Sequence, residues 1–281
     1  MEKRTISALA ENLRRHGVLG KVRLEPLGRQ CQNKVLEGGR AVAWPRVMSK
    51  PSPFRYFKTS PEVIRLAVMM YVRFPLSLRN VEDLLHERGI EISHETVRFW
   101  WNRFGPLFAA EIRKRRVSRM WSGRWHWHLD EVFVKINGRQ HYLWRAVDHE
   151  GEVLESFVTK TRDKKSALKF LKKTLNRHGH AEEMVTDRLR SYGAAFKDLG
   201  IVDLQKTGRW ANNRAENSHP PFRRRERAML RFRRMRTLQK FASVHASVHN
   251  HFNQERSLSS RATFKLNRTA ALAEWCGLLA A

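Results

Sequence analysis

The stretch WHWHLDEVFVKI, residues 125–136, decides the fold. It is apolar on both faces, as in a strand covered from both sides. Asn137-Gly138 follows at once and is a strong hairpin turn. His141 to Val147 then reads as the partner strand, Asp148 to Gly151 as a second turn, and Val153 to Thr159 as a third strand. The pattern changes period after that. Lys164 to Arg177 places Leu168, Leu171 and Leu175 on one helical face. Met184 to Thr186 is a short fourth strand, a helix is expected near Tyr192 to Leu199, and Val202 to Gln205 is a candidate fifth strand.

The order βββ-α-β-α-β-α is that of an RNase H-like domain, so the expected class is α/β. Asp130 lies inside the first strand, where a carboxylate needs a partner or a metal. A structural salt bridge is the alternative. Period two puts Glu131 on the opposite face, so these adjacent acids are not expected to share a site. Asp187 ends the fourth strand, at the carboxyl end where open sheets place their ligands; a helix N-cap is the alternative. Glu216 stands early in a helix opening at NNRAENSH, where it also fits a capping box after Asn212-Asn213. Three carboxylates converging on one point make an oxygen-ligand site for two divalent metals, the apparatus for cutting and joining phosphodiesters. The remaining acids sit in turns, caps or loop ends. His245, His249 and His251 form no trusted ligand spacing; packing or solvent exposure is expected for them, with DNA contact as the alternative.

Lys and Arg number 55 against 27 Asp and Glu, a formal charge of +28 that calls for a polyanionic partner. From Arg223 to Arg236 eight arginines stand in RRRERAMLRFRRMR, and Arg223, Arg224, Arg225, Arg227 and Arg231 are expected on DNA phosphates. The two cysteines, Cys31 and Cys276, give neither a zinc spacing nor a disulfide framework, which suits a reducing cytoplasm. No apolar run approaches the roughly 20 residues of a membrane span. Residues 61–105 read as three short helices: one opened by Ser60-Pro61-Glu62, one by Ser77, and one by Ser93 that Gly105-Pro106 should stop. The last two resemble a helix-turn-helix, with Ser93, His94, Thr96 and Arg98 facing the groove. The expected division is a disordered or non-native extension over 1–47 with Met48 as the start, a helix-turn-helix domain over 48–109, a basic linker over 110–121, and a catalytic domain over 122–281.

Four segments carry a specific resemblance: FRYFKTSPEVIRLAVMMYVRFPLSLRNVEDLL, WHLDEVFVKINGRQHYLWRAVDHEG, VTDRLRSYGAA, and GRWANNRAENSH followed by FRRRERAMLRF. With them the chain resembles the DDE transposases of bacterial insertion sequences, most closely the IS-six (IS-twenty-six-like) family. The resemblance implies that Asp130, Asp187 and Glu216 are the catalytic triad and the metal ligands. It implies that Arg223 is the family's basic residue seven places beyond the last acid. It further implies Mg²⁺ as cofactor, with Mn²⁺ able to substitute, and a helix-turn-helix that binds double-stranded DNA at terminal inverted repeats. End cleavage and strand transfer into target DNA, at least a homodimer, no membrane, and a cytoplasmic, nucleoid-associated location complete the expectation. Two features depart from the family pattern. The segment between Asp187 and Glu216 is shorter than in better-known members. Pro220-Pro221 should end or kink the helix carrying Glu216, at about 3 kcal/mol for an interior proline. A rival reading is a DNA-binding regulator or inactive remnant that does not cut. A retroviral-type integrase is disfavoured because no His/His/Cys/Cys zinc module precedes the core.

Overall fold

A computed structural model describes residues 51–117, 126–187, 189–208, 212–229, 232–253 and 259–279. The expectations for 1–47 and Met48, for linker residues 118–121, and for Arg231 lie outside the described residues. In chain order the elements are α1 (Pro61–Arg73), α2 (Leu78–His86), α3 (His94–Val117), β1 (His126–Ile136), β2 (Arg139–Val147), β3 (Val153–Thr159), α4 (Lys164–His178), β4 (Glu183–Thr186), α5 (Arg190–Leu199), β5 (Gln205–Thr207), α6 (Asn213–Ala228), α7 (Met235–Phe252) and α8 (Arg261–Cys276). Residues 202–204, expected as a strand, form a 3-10 turn that leads into β5.

Local chemistry accounts for the element starts. The Ser60 hydroxyl accepts from Val63 N ahead of Pro61. Ser77 and Asn80 exchange bonds as a capping box. Asp163 caps α4 by accepting from Ser166 N at 2.8 Å. The sheet order is β3-β2-β1-β4-β5. The first three strands run as an antiparallel meander, while β4 and β5 lie parallel to β1 and to each other. This is the RNase H-like arrangement.

The sheet divides two cores. On one face Trp127, Leu129, Trp144 and Ala146 pack on Ala167, Phe170 and Leu171 of α4 and on Tyr192 and Phe196 of α5. On the other, Val134, Ile136, Leu143 and Val158 join a core that continues through Phe222 and Phe241 into α1, α2 and α3. The packing therefore runs without a break across the boundary expected near residue 109.

The expectation that Gly105-Pro106 stops the third helix is overturned: α3 continues to Val117 and takes up much of the predicted linker. Pro106 has no N–H, so the carbonyl of Asn102 loses its helical donor. Lys240 Nζ of α7 supplies the replacement at 2.8 Å. Gly105 is there for packing, since a Cβ at that position would lie 2.6 Å from the Trp101 ring. That ring lies against Tyr71 and Phe241. The outer strand β3 is covered by amides of the same helix. Gln239 bonds Val158 N and Ser156 O, and Asn250 bonds both backbone groups of Val153. No described helix is long and apolar enough to cross a membrane.

Candidate active site

The register of β1 and β4 builds the site. Thr186, the last residue of β4, pairs with Leu129. Asp130 and Asp187 are thus the next residues on two parallel neighbours, Asp187 just past the end of β4 and Asp130 inside β1, which runs on to Ile136. One oxygen from each of Asp130, Glu131 and Asp187 lies within 4.8 Å of the others. The expectation that Glu131 stays apart is therefore corrected. Period two fixes where its Cβ points, but β4 has ended at this level, and a glutamate is long enough to reach round toward Asp187. Its side chain is 1% exposed. Oε1 is paired with Arg162, from the loop between β3 and α4, and Oε2 is buried without a hydrogen-bond partner.

The two aspartates differ in what they already hold. Asp130 Oδ1 accepts from Glu131 N at 2.9 Å, and its Oδ2 lies 3.8 Å from His219 Nδ1. Asp187 Oδ1 accepts from Leu189 N at 3.2 Å and Oδ2 from Arg162 at 3.5 Å. Asp187 is not the cap of α5, whose cap position is Leu189 and carries no side-chain bond. Nor does Asp130 form a structural pair with a lysine or arginine among the described residues.

Glu216 arrives on the first turn of α6. Asn212, expected as that helix's cap, makes no capping bond; its Nδ2 donates instead to the carbonyl of Leu129 at 2.9 Å. The start of α6 is thereby tied to β1 one residue before Asp130. Glu216 is exposed and stands outside the tight oxygen cluster, but its charge acts on Asp130. Pro220 and Pro221 do not interrupt the helix, which runs unbroken to Ala228. The carbonyls they deprive of donors belong to Glu216 and Asn217, both exposed residues, while Ser218, Phe222 and Arg225 hold the opposite face in the core.

The electrostatics are those of a site with too much negative charge. Burial, assisted by Asp187 and Glu216, pushes the Asp130 carboxyl up to about 6. Burial and the Asp187 charge push Glu131 up to about 8. Burial, with Arg145 and Arg223 nearby, lowers His219 to about 3, so its imidazole is neutral. Tyr192 is buried beside the same acids, its hydroxyl without a hydrogen-bond partner and its pKa raised by burial first. A set of carboxylate oxygens, one of them orphaned, with uncompensated charge suits a hard divalent cation.

The basic residues divide. Arg225, expected on DNA, is corrected to a structural role: it is 1% exposed, donates to Leu76 O at 2.9 Å, and lies over the rings of Tyr71 and Phe241. Arg223 bonds Glu226 and the carbonyl of Phe133, which joins α6 to β1. Arg224 and Arg227 are exposed. At the start of α3, the Ser93 hydroxyl bonds Thr96. His94 bonds Glu82 at 2.8 Å, and exposed Arg98 pairs with Glu95. His245 is buried, in line with packing. Sequence reasoning missed Arg162 and His219. His219 carries a usable signal, three residues after Glu216 and so on the same helical face. Arg162 carries none, being a loop residue delivered by the tertiary fold.

Comparison with known proteins gives concordant matches. A DDE-domain family model matches residues 124–255. The transposase for the insertion sequence-like element IS431mec of Staphylococcus aureus is 32% identical over 171 residues, 59% of this chain and 75% of that protein. The transposase for insertion sequence element IS257 in transposon Tn4003, also of Staphylococcus aureus, matches with the same identity and coverage. Among solved structures, the catalytic core domain of BIV integrase is 16% identical and covers 54% of this chain and 99% of that one, at a TM-score of 0.31.

Proposed function

Since the chain belongs to the DDE transposases of bacterial insertion sequences, in the IS-six family, and is a DNA transposase, we propose that Asp130, Asp187 and Glu216 are its catalytic carboxylates. The observation that carries this reading is the juxtaposition of Asp130, inside β1, and Asp187, just past the end of β4, with Glu216 close enough to raise Asp130. A DDE domain uses divalent metal, and Mg²⁺ is the ion proposed here. When bound, it supplies a water or 3′-hydroxyl made acidic enough to attack a phosphodiester. Asp130 and Asp187 hold the cation from the rigid sheet, and Glu216 closes the site from α6. Neutral His219 stands beside Asp130 as a neighbour that adds no charge.

The substrate is double-stranded DNA, the ends of the element first and target DNA second. Exposed Arg224 and Arg227 lie on the helix of Glu216, where they would meet backbone phosphates. The α2–turn–α3 unit is proposed to read the terminal inverted repeats, with Arg98 as its exposed basic residue. Two ends must meet, so the working form is at least a dimer. Strand transfer of end-sequence DNA tests the proposal. Wild type should join DNA in Mg²⁺ and not in chelator, and Glu216→Gln should bind the ends and not join them. Joining by Glu216→Gln at the wild-type rate would remove Glu216 from the site.

A further inference from the structure

Both oxygens of Asp187 are engaged in this structure, one by Leu189 N and the other by Arg162. A guanidinium facing that second oxygen repels an incoming divalent cation. We propose that Arg162 is the built-in counter-cation of the metal-free site, held on Glu131 and displaced from Asp187 when a divalent cation enters. The inference rests on the reading of Asp130 and Asp187 as metal ligands.

Four observations support a movable guanidinium over a permanent structural pair. The Arg162–Asp187 contact is long, at 3.5 Å, whereas Arg162–Glu131 is direct. Arg162 comes from a loop, and its side chain keeps 32% of its exposure. The pair is only half made: Glu131 Oε2 and Arg162 Nε are both buried without a hydrogen-bond partner. Finally, the Phe133 ring lies 5.7 Å from the guanidinium and offers an apolar seat on the Glu131 side. Glu131 is thus the anchor that holds Arg162 close to Asp187 and keeps it near the site once a cation displaces it. Arg162 is a positioning residue that sets metal affinity; it is not a ligand and not a reacting group.

Calorimetric titration of the full, metal-stripped chain with Mn²⁺ alone tests this. Arg162→Gln removes a positive charge beside a divalent cation and should tighten binding by about tenfold. Arg162→Lys should stay near wild type. Glu131→Gln frees Arg162 to turn wholly onto Asp187 and should weaken binding. Glu131→Gln combined with Arg162→Gln should restore it to wild type or better. Unchanged or weaker binding by Arg162→Gln overturns the inference, as does a double variant that stays weak, since Glu131 would then be a ligand itself. Asp187→Asn separates the two readings. If it binds Mn²⁺ like wild type, the metal-ligand reading fails and the inference with it. If it loses binding while Arg162→Gln is unaltered, only the inference fails. Thermal unfolding of each variant, needed for the titration to be read, shows whether the fold survives.

Discussion

Helix α6 has charge clustered on both of its sides, of opposite sign, and the two clusters are handled differently. Toward the sheet end lie Asp130, Glu131 and Asp187. Toward the helical core lie Arg145 and Arg225, each 1% exposed and neither paired with a carboxylate among the described residues. Arg145 even stands directly opposite Asp130 across β1 and β2, yet it turns away and donates to the carbonyl of Ser218. The arginines donate to backbone carbonyls and lie against the rings of Phe222, Tyr71 and Phe241, although Arg145 Nε and Arg225 Nε and Nη2 are also buried without a hydrogen-bond partner. The acids keep an orphan oxygen and raised pKa values. Buried charge by itself thus says little about function. Three carboxylates that share one loop arginine, with Asp187 open to solvent, suit an external cation.

The contrast can be broken by substitution. Arg225→Ala should cost about 3 kcal/mol in chemical denaturation, because it opens a cavity and strands the Leu76 carbonyl. Exposed Arg224→Ala should shift stability by less than about 0.5 kcal/mol. Equal effects would mean that the buried arginines are not clamps. The acidic cluster should behave oppositely with pH. Asp130 rises from 3.8 to about 6 on folding and Glu131 from 4.5 to about 8, so these two carboxyls bind more protons in the folded chain, whereas buried His219 and His249, lowered to about 3 and about 4, bind fewer and act oppositely below about pH 6.5. The share of the metal-free protein's stability that these two carboxyls contribute should therefore fall as pH rises from about 4 to about 8. Asp130→Asn should flatten the lower half of that slope, and a thermal-unfolding series in chelator measures it. A slope unaltered by Asp130→Asn would show that the site is not the source. A smaller effect than that of Arg225→Ala is expected beside Pro106. Lys240→Ala should cost about 1 kcal/mol by leaving the Asn102 carbonyl without a donor, read as a drop in the denaturation midpoint.

Much of the fold was legible because its causes are local. Alternation in WHWHLDEVFVKI, the Asn-Gly turn and the Ser60, Ser77 and Asp163 caps each act within a few residues, and the strands and helices stand close to where they were expected. Both proline signals misled for one reason: a missing N–H disrupts a helix only if nothing else serves the freed carbonyl. Lys240 serves Asn102 in α3, and in α6 the affected residues are exposed. The arginine run misled differently. Composition counts charges but does not say which face of a helix is buried, so Arg225 looked like its neighbours.

By itself, then, the sequence determined the order of strands and helices along the chain, with Asp130 inside the first strand and Asp187 at the end of the fourth, because period and turn chemistry are short-range. Only the tertiary structure decided that Glu131 joins them, that Arg162 arrives from 25 residues before Asp187, and that Lys240 bonds a carbonyl 138 residues away. Such partners are chosen by which surfaces the packed core brings together, and no local pattern carries that information.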